Sequence, residues 1–122
     1  VSAQEARGKL DELSAELDHL SRELLKVEQE LEPVDDTYQA FVNDFEVGLW
    51  QRSQDDDKFK LPSAEMRKRL AHKEMPPELL GRHRGLTLRR ERGMQRIRAV
   101  ARQVDAQRSI LSALKSELEA SR

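Results

Sequence analysis

Residues 10–34 read LDELSAELDHLSRELLKVEQELEPV, and the spacing inside that stretch decides the fold. Leu10, Leu13, Leu17, Leu20, Leu24, Val27, Leu31 and Val34 follow one another at alternating steps of three and four, so every a and d position of four consecutive heptads is apolar. The stretch is one strand of a coiled coil. Upstream, Ser2-Ala3-Gln4-Glu5 has the form of a capping box, which predicts a helix start there. Downstream, Pro33 removes one amide donor and crowds the carbonyl four residues before it, so a kink or a stop is expected. Tyr38, Phe41 and Phe45 continue the same spacing beyond Pro33, and the proline itself falls at an outward c position. The spacing therefore favours a kinked helix that continues to about residue 53.

What this seam pairs with follows from its charges. Its g positions include Glu16, Glu23 and Glu30, and its e positions include Glu28 and Asp35, so two copies of the strand would set acid against acid. The partner should be basic. Residues 1–57 carry a net charge of -11 and residues 67–108 a net of +9, which points to the second half of the same chain. There Ile97, Val100, Val104, Gln107, Leu111, Leu114 and Leu118 repeat the three-four stepping, and Gly93, Arg90, Leu86, His83 and Leu79 extend it backwards as a weaker seam. Matching a layers to d layers in antiparallel order gives residue numbers summing to 124 or 131. That register sets Leu17 near Leu111 and reverses the chain around residues 62–65. The fold class expected is all-α: a long antiparallel helical hairpin with a short helix and a small aromatic head at the reversal.

The chain is read as a single helical domain, with one arm over residues 1–53, a loop and short helix over 54–76, and a return arm over 77–122. Pro62-Ser63-Ala64-Glu65-Met66 predicts the start of the short helix, with proline in its first turn and Met66 and Leu70 on one face. Met75-Pro76-Pro77 ends it. The return helix is expected to begin at Pro77 or after Gly85. All five aromatic residues lie between positions 38 and 59, which predicts a small head there: a local core that closes the hairpin end, since Phe41 and Phe45 continue the seam, or a partner-binding knob.

Composition narrows function more than it identifies one. Ala, Glu, Lys, Leu and Arg make up about half of the 122 residues, the signature of long helices, and there is no cysteine for a disulfide or a thiolate site. His19, His72 and His83 stand outside any metal-ligand spacing and are read as solvated helix residues, and Asp55-Asp56-Asp57 lacks the glycine turn of a calcium loop. No nucleophile elbow or phosphate loop is present. The expectation is a non-enzymatic structural or interaction protein, an adaptor, spacer or assembly subunit, with no catalytic, cofactor or metal residues and a cytoplasmic location. A protein partner is expected, through Trp50 as anchor with Phe59 beside it. The alternative partner is nucleic acid, held with little sequence preference by the outward arginines of residues 82–102, Arg92 and Arg102 first. No membrane partner is expected. Leu25, Leu80, Leu88 and Ile110 lie off the seam and leave room for a homodimer of packed hairpins.

Overall fold

The computed structural model describes residues 2–121. They form three helices: α1 (Ala3–Asp55), α2 (Ala64–Glu74) and α3 (Pro77–Ala120). There is no strand among the described residues, and α1 packs against α3 as an all-α helical hairpin. No helix among them is long and apolar enough to cross a membrane. Within this fold the chain divides into two compact units, Val1–Val27 with Arg89–Arg122, and Glu28–Leu88.

The start of α1 is set by Ser2, whose hydroxyl accepts the amide of Glu5 at 3.1 Å and satisfies one of the donors that a helix leaves open at its first turn. The helix then runs through Pro33 without ending. Pro33 is exposed, so water can solvate the carbonyl of Gln29 that lost its amide partner. The Thr37 hydroxyl donates to the carbonyl of Pro33 itself at 3.0 Å. After Asp55 the chain turns on Asp56, whose carboxylate accepts the amide of Lys58 at 3.0 Å while its carbonyl accepts that of Phe59.

Ser63 caps α2, accepting the amide of Met66 at 3.2 Å. Pro62 thus stands just ahead of the cap rather than inside the first turn. The apolar face of α2 also differs from the expected one. Ala71 and Met75 are buried at 0% and 2% exposure, whereas Met66 is turned outward at 44%. The inward row runs through Arg67, Leu70, Ala71 and Met75, because Arg67 anchors the start of α2 by donating to the Pro62 carbonyl at 2.8 Å and to the Glu46 carboxylate at 3.5 Å. Met75 adopts an extended conformation that ends the helix, and Pro77 opens α3 at the position where a missing amide costs nothing.

The unit formed by residues 1–27 and 89–122 is a two-helix seam. Leu13, Val100 and Val104 are its buried centre, with Leu10, Leu17 and Leu20 packed against them. All eight a and d residues from Leu10 to Val34 are at least half-buried, as the heptads predict. The register is another matter. Glu16 meets Arg96, Leu24 faces Gly93, and Leu17 packs on the Val100 and Val104 cluster, not beside Leu111. In the second unit Asp35 meets His83. These pairs have residue numbers summing to 112–121, with the a–d layer of Leu24 and Gly93 at 117, one heptad short of 124 and two short of 131, and the reversal is centred near residue 58 rather than 62–65. Sliding by a heptad sets most apolar positions of one seam on apolar positions of the other again, so hydropathy alone does not choose. The small Gly93 opposite Leu24 and the polar His83 opposite Asp35 do.

The unit formed by residues 28–88 closes on Tyr38, Ala71, Met75 and Leu86, all below 9% exposure. The expected aromatic head resolves into residues with separate fates. Tyr38 is buried, Phe41, Phe45 and Phe59 are half-buried, and Trp50 faces outward. On the outer face of α3, Gly81 and Gly85 sit inside the helix with nothing within 4 Å of where a Cβ would lie. Alanine at each position should therefore stabilise by about 0.5–1 kcal/mol through helix propensity alone. Urea denaturation of the Gly81→Ala, Gly85→Ala double variant should show a higher midpoint at unchanged slope. A lower midpoint would mean that these glycines meet something the hairpin does not contain.

Candidate interaction surfaces

Three groups of side chains stand out once the helices are in place. The first is a row of arginines on α3. In an antiparallel pair g positions face g positions, which brings the acidic g row of α1 to Arg89 and Arg96. The Arg96 guanidinium donates to Glu16 at 2.6 Å. Glu23 is held below the usual carboxylate range, first by its hydrogen bond and charge attraction to Lys26, and to a lesser degree by Arg89. The Glu16–Arg96 and Glu23–Lys26 pairs are both solvent-exposed and contribute little stability; of the two only Glu16–Arg96 joins the helices and so bears on register. Arg92, Arg98 and Arg102 occupy outward positions of the same helix, are exposed, and have no ion pair among the described residues. Part of the basic segment is thus neutralised by the acidic arm and part faces water.

The second group lies on the outer side of α1. Trp50 is 53% exposed and Val47 is 54% exposed, one turn apart on the same face. With Gln51, Gln54 and Asp55 they line a shallow hollow. Phe59 is not part of it. That ring is half-buried and lies beneath the Arg52 guanidinium, 4.3 Å from the ring centroid, a cation–π contact that holds the loop after α1 to the helix end. Of the two aromatic residues singled out from sequence, Trp50 is accessible and Phe59 serves the loop.

The third group was not expected. Asp35 accepts from His83 at 2.8 Å, the His83 ring stacks on Tyr38 at 3.8 Å between centroids, and the Tyr38 hydroxyl shares a 2.6 Å hydrogen bond with His72. Each of the three helices contributes to this cluster. His72 and His83 are therefore not solvated helix residues: the His83 side chain retains 16% exposure, and burial holds His72 below the ordinary imidazole value, aided by the positive charges of Arg84 and Lys68 and by His83. The backward extension of the α3 seam through His83 was the available signal. Nothing in the spacing around His72 pointed to Tyr38. The cluster ties α2 to α1 and α3, which makes it a structural link.

Comparison of the chain with protein-family models, with curated proteins and with solved structures gives no match.

Proposed function

We propose that the protein is a non-enzymatic interaction module, a helical hairpin whose packed seam presents side chains to a protein partner, in the manner of an adaptor, spacer or assembly subunit. The observation that carries the reading is the placement of Trp50. It is the single tryptophan of the chain, and it is spent on the outside, beside Val47, over a hollow. A large amphipathic ring left half in water on a rigid helix costs hydrophobic stabilisation in the free protein and recovers it when covered, which is how interface anchors behave. The neighbouring glutamines and Asp55 supply a polar rim.

The test uses Trp50→Ala. Because the residue is on an outward face, helicity should be unchanged and the unfolding free energy from urea denaturation should change by less than about 0.5 kcal/mol. Recovery of a protein partner from a cell extract of the source should fall by about tenfold or more, as for loss of a hot-spot anchor. Undiminished recovery would remove Trp50 from the interface and with it the reading of the hollow.

A second reading rests on its own observation, the outward Arg92, Arg98 and Arg102 without ion pairs among the described residues. Guanidinium groups at such spacing can track a phosphate backbone without reading bases. On that reading duplex DNA or RNA binds at about 50 mM salt, loosens steeply as salt rises, and is lost when Arg92→Glu is combined with Arg102→Glu. Absence of binding at low salt ends it.

A further inference from the structure

The seam changes character toward the start of α1. Its layers among the described residues there are Ala3 and Ala6, while α3 brings Leu111, Leu114 and Leu118 to the same end. Ala6 is fully covered, at 1% exposure, while the small Ala3 and Ala6 side chains leave part of the leucine row open. Leu118 stays 61% exposed, and a groove of about 530 Å³ opens along the leucines, lined also by Ala3, Arg7 and Lys115. Arg7 and Lys115 are both e positions of their heptads. Antiparallel pairing brings e against e, so two like charges flank one groove, neither has an ion pair among the described residues, and no carboxylate lines the groove.

We propose that this groove receives a third helix: an amphipathic segment of a partner protein with leucine-like residues at three-four spacing, flanked by Asp or Glu. The geometry supplies each element of that description. Leu111, Leu114 and Leu118 span two helical turns at coiled-coil spacing, so the spaces between them accept knobs at the same spacing from a helix and not from an irregular loop. The cations on both walls select a partner with acidic flanks and repel a basic one. They also disfavour a second copy of this chain. A two-fold dimer through this patch would bring Arg7 and Lys115 against their own equivalents, adding like charge to like. The site is separate from Trp50, and its proposal does not depend on the reading of that residue.

The test uses the full chain and a fluorescent helical peptide of about three heptads, with Leu at a and d and Glu at e and g. Anisotropy at about 50 mM salt should show saturable binding that weakens at higher salt. Leu118→Glu and Lys115→Glu alter exposed side chains and leave helicity intact; each should weaken binding by about tenfold or more. The same peptide with Lys at its flanks should bind the natural chain poorly and the Arg7→Glu, Lys115→Glu double variant well. Trp50→Ala should leave the affinity unchanged, which separates this site from the Trp50 surface. The proposal is overturned if the acidic peptide fails to bind, if binding survives Leu118→Glu, if sedimentation shows a dimer that Leu118→Glu dissociates, or if lipid vesicles and not the peptide respond to Leu118→Glu.

Discussion

Val100→Asp should unfold the unit made by residues 1–27 and 89–122, or bring it close to unfolding. Val100 has 0% exposure and forms the buried centre of the seam with Leu13 and Val104. No hydrogen-bonding side chain belongs to that cluster, so an aspartate there either ionises without a partner or takes up a proton at a cost, and it forfeits the contacts of the valine. Uncompensated charge at such a site costs about 3–5 kcal/mol, against a total of roughly 5–15 kcal/mol for a domain. With a slope of about 2 kcal/mol per molar urea, the midpoint should fall by about 2 M. The informative control is Leu118→Asp, the same chemical change on the same seam at a position 61% exposed, where about 0.5 kcal/mol or less is expected. Equal effects at the two positions would mean that the seam does not pack around Val100.

The other large effect is expected at Tyr38. Its ring fills the centre of the unit made by residues 28–88 at 8% exposure, stacks on His83 and reaches His72. Tyr38→Ala should cost about 3–5 kcal/mol through the cavity and the lost contacts. Tyr38→Phe keeps the stack and removes only the hydroxyl, so about 1 kcal/mol should be lost. The unit should also respond to acid through His72. Burial, with Arg84, Lys68 and His83 nearby, lowers the affinity of His72 for a proton in the folded protein. The unfolded chain then binds more protons, so stability is complete above the unfolded imidazole pKa of about 6.5 and declines as pH falls below it. His72→Gln should flatten that part of the pH profile while leaving the acid response of the carboxylates. A slope unchanged by His72→Gln would place the titrating group elsewhere.

These two sites differ in how readily sequence discloses them. Val100 and Leu13 are legible because a seam of period three-four needs only the positions of apolar residues, and both arms satisfy it over several heptads. The register between the arms is not, since a shift of seven residues superposes one apolar layer on another. It is decided by exceptions to the pattern, such as Gly93 and His83, whose partners cannot be named until the arms are set side by side. The short helix shows the same limit. Ser63 announces its start, yet Met66 and Leu70 look as good a face as Leu70, Ala71 and Met75 until Arg67 is seen bound to Pro62 and Glu46. Among the candidate contact residues, outward Arg92 and Arg102 follow from helix phase alone. The exposure of Trp50 does too, at an f position one turn after Val47. The burial of Phe59 does not, because a loop residue has no phase, and its ring is placed by Arg52. The leucine-lined groove beside Ala3 is visible only once the register is known.

The glycine at position 93 has a mechanical consequence. A Cβ there would sit 3.4 Å from the Leu24 Cδ1 atom, so the leucine lies in a notch that ordinary side chains would fill. Travel of one arm along the other would lift Leu24 out of that notch and onto the bulkier residues on either side in the seam, Arg90 or Ile97. Within this unit, then, a slide of one helix along the other costs Leu24 its fit against Gly93.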